Sequence, residues 1–108
     1  MNVLVEKNSG WTVVRIEGAL DQDSAGPVQE KLLATLTDIG GSYLLDLEKV
    51  SALDSSGLAT LVRFYKEIRT RGGTLALCAV QREAMKVFQL TRLDTIFTIL
   101  PDNTAKAA

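Results

Sequence analysis

The sequence predicts a single α/β domain in which a mixed β-sheet opens with an N-terminal β-hairpin, continues through a parallel βαβ unit and carries helices packed on it. Three observations lead there. Residues 1–7 (MNVLVEK) and 11–17 (WTVVRIE) are β-rich and flank Asn8-Ser9-Gly10, a hairpin-turn signal. Residues 43–47 (YLLDL) and 74–80 (TLALCAV) are short apolar runs without clean alternation, as suits strands covered on both faces of a parallel sheet. Between them lies an amphipathic stretch of helical period, so strand, helix and strand form a right-handed crossover. A chain of 108 residues, 46% of them hydrophobic, forms one domain over 1–108 with a single modest core.

In chain order, the second hairpin strand alternates, with Thr12, Val14 and Ile16 on one face and Trp11, Val13 and Arg15 on the other. Ser24 is the expected N-cap of the first helix, and Pro27 is tolerated in its first turn, where amides lack intrahelical acceptors. Val28, Leu32, Leu36 and Ile39 recur at helical spacing, Leu33 widens the stripe, and Gly40-Gly41 is expected to stop the helix. The second helix, 57–71, presents Leu58, Leu61, Val62, Tyr65 and Ile68 on one face and closes at Gly72-Gly73, with Arg69 and Arg71 complementing its dipole. Residues 82–90 read as a third helix presenting Ala84, Met85 and Phe88, and 95–100 (TIFTIL) as a last strand. The tail, 101–108, is expected to be frayed or to begin a short final helix.

Composition excludes several functions. A formal net charge of −1 argues against nucleic acid or an anionic membrane as partner, and no apolar stretch approaches membrane-spanning length. With no signal-peptide pattern at the start, the expected location is the cytoplasm. The single cysteine, Cys78, rules out an internal disulfide, and its place in an apolar run marks it as a buried structural thiol. Histidine is absent, which removes the commonest general base and metal ligand. Asp21 and Asp23 lack further ligands for a metal, so capping and solubility explain them. There is no Walker loop, dinucleotide fingerprint, nucleophile elbow or Ser-x-x-Lys. Neither catalysis nor a cofactor is expected.

What remains is the joint 52–61, ALDSSGLATL, between the third strand and the second helix. Asp54, Ser55 and Ser56 are all good N-cap types and Gly57 eases a tight turn into the helix, so spacing alone favours capping. Two features add another role. The joint follows a strand of parallel type, where open α/β sheets carry functional loops. It also sets hydroxyls at a helix N-terminus, where amides and dipole welcome an anion. A phosphoserine there would add about −1.5 to −2 charges beside Asp54.

The string LLDLEKVSALDSSGLATLV followed by GGTLALCAV, with Gly18-Ala19-Leu20-Asp21 ahead of it, resembles the STAS domain, specifically the bacterial anti-sigma-factor antagonists. The likeness runs from the first hairpin through Leu100. It implies a non-enzymatic switch. The unphosphorylated protein binds an anti-sigma factor that is itself an ATP-dependent serine kinase, freeing the sigma factor, and a PP2C-type phosphatase reverses phosphorylation. The resemblance makes Ser55 the acceptor, ahead of its neighbour Ser56. Asp54 would orient the contact loop, Gly57 would let a partner's backbone come close, and Asp21 would border the same surface. An apolar patch around Leu58 would complete it. Ala59 departs from the Gly-Leu-Gly run common in the family, and the usual C-terminal helix is barely represented by residues 103–108, which leaves one sheet face less covered than expected.

The alternative is a stand-alone STAS subunit docked on the ATPase of a lipid-transporting ABC complex. An acceptor serine at the joint favours the switch. A receiver domain with Asp46 as phosphoacceptor fails, because the acidic pair after the first strand and the lysine after the last are missing.

Overall fold

β1 (Asn2–Asn8) and β2 (Trp11–Leu20) form the expected antiparallel hairpin, seen in a computed structural model that describes residues 2–8, 10–36 and 40–100. Met1, Ser9 of the turn, Ile39 of the first helical stripe and the tail 101–108 lie outside the described residues. The remaining elements are α1 (Ala25–Ala34), β3 (Ser42–Leu53), α2 (Ser55–Thr70), β4 (Thr74–Cys78), α3 (Arg82–Leu90), a 3-10 turn (Leu93–Thr95) and β5 (Thr98–Ile99). The five strands lie in sequence order, and β2 through β5 pair in parallel. Each crossover therefore steps one strand in the same direction, and crossovers of one hand set their helices on one face.

The core follows from that layering. Val14, Ile16, Leu45, Leu47, Leu75 and Leu77 point from the sheet into one cluster. Val28 and Leu32 of α1, Leu58, Leu61, Phe64 and Ile68 of α2 and Phe88 of α3 meet them. The alternate strand positions form a smaller cluster on the other face, Val13, Leu44, Ala76 and Cys78, with Trp11 and Leu100 packed against it. Cys78 is buried as expected. Asp46 also faces this side. It is buried and receives Arg15 Nε at 3.0 Å and the Glu48 amide at 3.0 Å.

Several expectations need correction, beginning with β2, which runs past the expected end at Glu17 to Leu20. Helix α1 ends at Ala34, before Gly40-Gly41, because Thr35 turns back on Leu32 through both its amide (3.0 Å) and its hydroxyl (2.7 Å). Both glycines instead hold positive φ beside the end of α2, where the Gly40 amide meets Arg71 O at 2.7 Å and the Thr74 amide meets Gly41 O at 2.9 Å. Strand β3 runs on to Leu53, its second half pairing with β2 through two register shifts at Arg15/Glu17 and Gly18/Ala19. That irregularity blurs the alternation over 48–53. In α2 the buried side chains include Phe64, which the expected stripe omits, while Val62 and Tyr65 of that stripe are only partly buried. Strand β4 stops at Cys78 because Ala79 turns to φ 56°. The last strand shrinks to Thr98–Ile99, since Phe97 is drawn toward the helices, edge-on to Tyr65 (5.2 Å) and Phe88 (5.6 Å).

Candidate functional site

Leu20 and Leu53 are register partners at the ends of β2 and β3, so the loops that follow leave the same sheet edge side by side. Those loops carry Asp21 and Asp54. The strand order thus brings together the two acidic positions singled out in the sequence.

Asp54 adopts extended backbone (φ −110°, ψ −174°) and caps α2, its Oδ1 accepting the Gly57 amide at 2.9 Å. Its Oδ2 accepts the Gln22 amide at 3.1 Å, and its own amide donates to Leu20 O at 3.2 Å. One carboxylate therefore caps a helix and pins the neighbouring loop. The three bonds together fix the start of α2 against the loop after β2.

Asp21 folds its own loop. Its Oδ1 accepts the amides of Asp23 (3.0 Å) and Ser24 (3.1 Å), an Asx arrangement. Ser24 makes no side-chain cap of α1, contrary to expectation. Its hydroxyl donates to Ala19 O at 2.8 Å and accepts the Asp21 amide at 3.0 Å, which leaves it no geometry for the helix amides. Among the described residues, no group of three potential ligands is placed to hold a metal ion.

With Asp54 as the cap, Ser55 and Ser56 become the first two residues of α2. Ser55 is exposed and Ser56 half-buried. The Ser55 hydroxyl takes no hydrogen bond among the described residues, and it stands where the helix dipole and first-turn amides favour negative charge. Of the two serines, Ser55 is the more available to a modifying enzyme.

Gly57 serves the interior. It is buried, and a Cβ there would lie 2.2 Å from Leu20 O and 2.8 Å from Leu20 Cγ. The close backbone approach expected with a partner is made within the chain, where the start of α2 presses on the end of β2. Leu58 is likewise 6% exposed, so the patch expected around it is carried by other residues. Next to it Ala59 is exposed and Val62 half-buried, and with Ser55 and Leu93 they line an open groove of about 680 Å³ along α2. Arg63 and Lys66 flank it. The sequence reading missed this groove because it assigned Val62 to the core stripe. The signal was present, since Ser55, Ala59, Val62 and Lys66 stand at i, i+4, i+7 and i+11, one line down a helix.

The family model described as the STAS domain matches residues 2–107. The anti-sigma-B factor antagonist of Bacillus subtilis is 33% identical over 99 residues, covering 92% of this chain and 90% of that protein. The anti-sigma F factor antagonist of Paenibacillus polymyxa is 28% identical over 110 residues, covering 99% and 92%. Among solved structures, an anti-sigma factor antagonist from Mycobacterium paratuberculosis superposes with a TM-score of 0.80 at 26% identity, covering 99% of this chain and 94% of that one. Strand order, the capped joint and a family match across nearly the whole length agree: the chain belongs to the STAS domain family.

Proposed function

We propose that this protein is an anti-sigma-factor antagonist that works by partner switching, without catalytic activity of its own. Unphosphorylated, it binds an anti-sigma factor with serine kinase activity and so frees a sigma factor. Phosphorylation of Ser55 by that kinase ends the binding, and a PP2C-type phosphatase restores it. These events belong to the cytoplasm, and no helix among the described residues is long and apolar enough to cross a membrane. The relatives' shared name supports the partner class. The observation that carries the switch is the division of labour at the joint, where Asp54 holds the cap and leaves the Ser55 hydroxyl exposed and uncommitted.

The physical chemistry is that of a charge switch. Burying a neutral serine against a partner costs little once it is hydrogen-bonded, whereas burying a phosphate with no matching cation costs several kcal/mol. Each ~1.4 kcal/mol is a tenfold change in affinity. The helix N-terminus tolerates the added charge, so the fold survives while the interface does not.

Phosphopeptide mapping of the protein purified from its own host, growing and stressed, tests the reading. Phosphate on Ser55 whose occupancy changes with condition is the expected result. A protein never phosphorylated, and recovered with an ABC ATPase, overturns it.

A further inference from the structure

We propose that the groove along α2 selects the partner, and that its occupant is an acidic amphipathic segment of the anti-sigma factor. The inference rests on the function proposed above and adds the chemistry of the contact. The groove floor is apolar, formed by Ala59, Val62 and Leu93 with an edge of Leu58, and Ser55 stands at its head. From Ser55 to Lys66 the line runs eleven residues, about 16 Å at 1.5 Å per residue, enough to seat roughly three turns of a partner helix.

Charge decides the occupant's sign. The groove's acidic lining residue, Glu67, faces Arg71 at 3.6 Å. Arg63 and Lys66 are exposed and have no carboxylate within 4 Å among the described residues, as is true of Lys7, Arg69, Arg82 and Arg92 elsewhere on the surface. Exposed lysines and arginines are ordinary where water surrounds them. These two border an apolar trough, where an occupant would cover their stems and strip water from their charges. On a chain of net charge −1, this is a local positive site. An occupant with apolar side chains on the floor and carboxylates toward Arg63 and Lys66 complements it. The same occupant explains release, because a phosphate on Ser55 at the head of the groove repels an acidic segment and would hold a basic one more tightly.

The test begins by capturing the anti-sigma factor from the host with the wild-type chain, identifying it by mass spectrometry and purifying it. Its affinity is then measured by calorimetry for wild type, Arg63→Glu/Lys66→Glu, Ser55→Glu and Lys7→Glu, the last on the strand at the sheet's far edge, with circular dichroism confirming each fold. The double reversal is expected to weaken binding by about tenfold or more at ~50 mM salt, with a smaller difference at ~500 mM, where charges are screened. Lys7→Glu should bind as wild type does. If Ser55→Glu abolishes binding while the double reversal leaves it unchanged, the joint is the contact and the groove inference falls, with the proposed function standing. Tighter binding by the double reversal means a basic occupant and also overturns the inference. Failure of wild type to bind any anti-sigma factor overturns the inference and the proposed function together.

Discussion

Asp54 Oδ1 holds the Gly57 amide at 2.9 Å and Oδ2 holds the Gln22 amide at 3.1 Å, while the adjacent Ser55 hydroxyl holds nothing among the described residues. Neighbouring residues of similar capping propensity thus carry separate loads, and their substitutions should separate in the same way. Asp54→Ala removes a cap and the tie to the 21–24 loop, and should lower stability by about 1–2 kcal/mol in urea titration. Ser55→Ala removes a hydroxyl at an exposed first-turn position and should stay within about 0.5 kcal/mol of wild type while abolishing phosphorylation. If Ser55→Ala is as destabilising as Asp54→Ala, the serine is a structural cap and the switch loses its basis. At this scale the sequence showed that a cap lay among Asp54, Ser55 and Ser56 but not which residue it was, because all three have the chemistry. The extended backbone of Asp54 decides it. Gly57 was legible as a tight entry into the helix, and the resemblance reserved its space for a partner's backbone; the group it approaches is Leu20 O, from a strand end thirty-odd residues earlier, which is visible once the fold is known.

Helix α2 was legible in its span and less so in its orientation. Its apolar residues span an arc of about 160°, with Leu58, Leu61, Val62, Phe64, Tyr65 and Ile68 all candidates for the sheet side. Tertiary packing selects among them. Leu61, Phe64 and Ile68 are nearly sealed, and Thr60, 3% exposed, bonds its hydroxyl to Ala25 O at 3.4 Å and Ser56 O at 3.2 Å where α1 passes close by. That rotation turns Val62 toward the groove. Phe64→Ala should therefore cost about 3–5 kcal/mol, whereas Val62→Ala should cost under ~1 kcal/mol and act on partner affinity instead. Equal losses in a thermal or urea melt would mean that Val62 belongs to the core and that the groove is no docking surface. The misplaced stop of α1 shows a pattern put to a tertiary use. Gly40-Gly41 is a helix-stop pattern, but its backbone is claimed by the end of α2, and a Cβ on Gly73 would lie 2.8 Å from Gly41 O. A contact between two distant turns leaves no local mark in the sequence.

Taken whole, the molecule has a sheet whose two faces differ in kind. The helix face is apolar throughout its cluster, whereas the other face sets Asp46, 1% exposed, against Arg15, whose side chain is 29% exposed and also reaches Glu6 at 3.0 Å. The layer order and the parallel sheet were legible from run lengths, but this ion pair was not. Arg15 read as sharing a strand face with Trp11 and Val13, and Asp46 only as a rejected phosphoacceptor; their pairing depends on the register that sets Arg15 opposite Asp46. The hydrogen bond to Asp46 is the main cause that raises the Arg15 pKa above its ordinary value, so the guanidinium keeps its charge at any pH where the fold is studied. Burial makes the two partners unequal. Arg15→Met strips a sealed carboxylate of that cation and should cost about 3 kcal/mol. Asp46→Asn keeps an acceptor for the Glu48 amide and leaves Arg15 with Glu6 and water, so about 1 kcal/mol is expected, discounted for the arginine's exposure. Urea titration of both variants tests the ordering. A larger loss for Asp46→Asn would place the burden on the aspartate's own hydrogen bonds, and the second face would then be held by local backbone ties and not by the cross-strand ion pair.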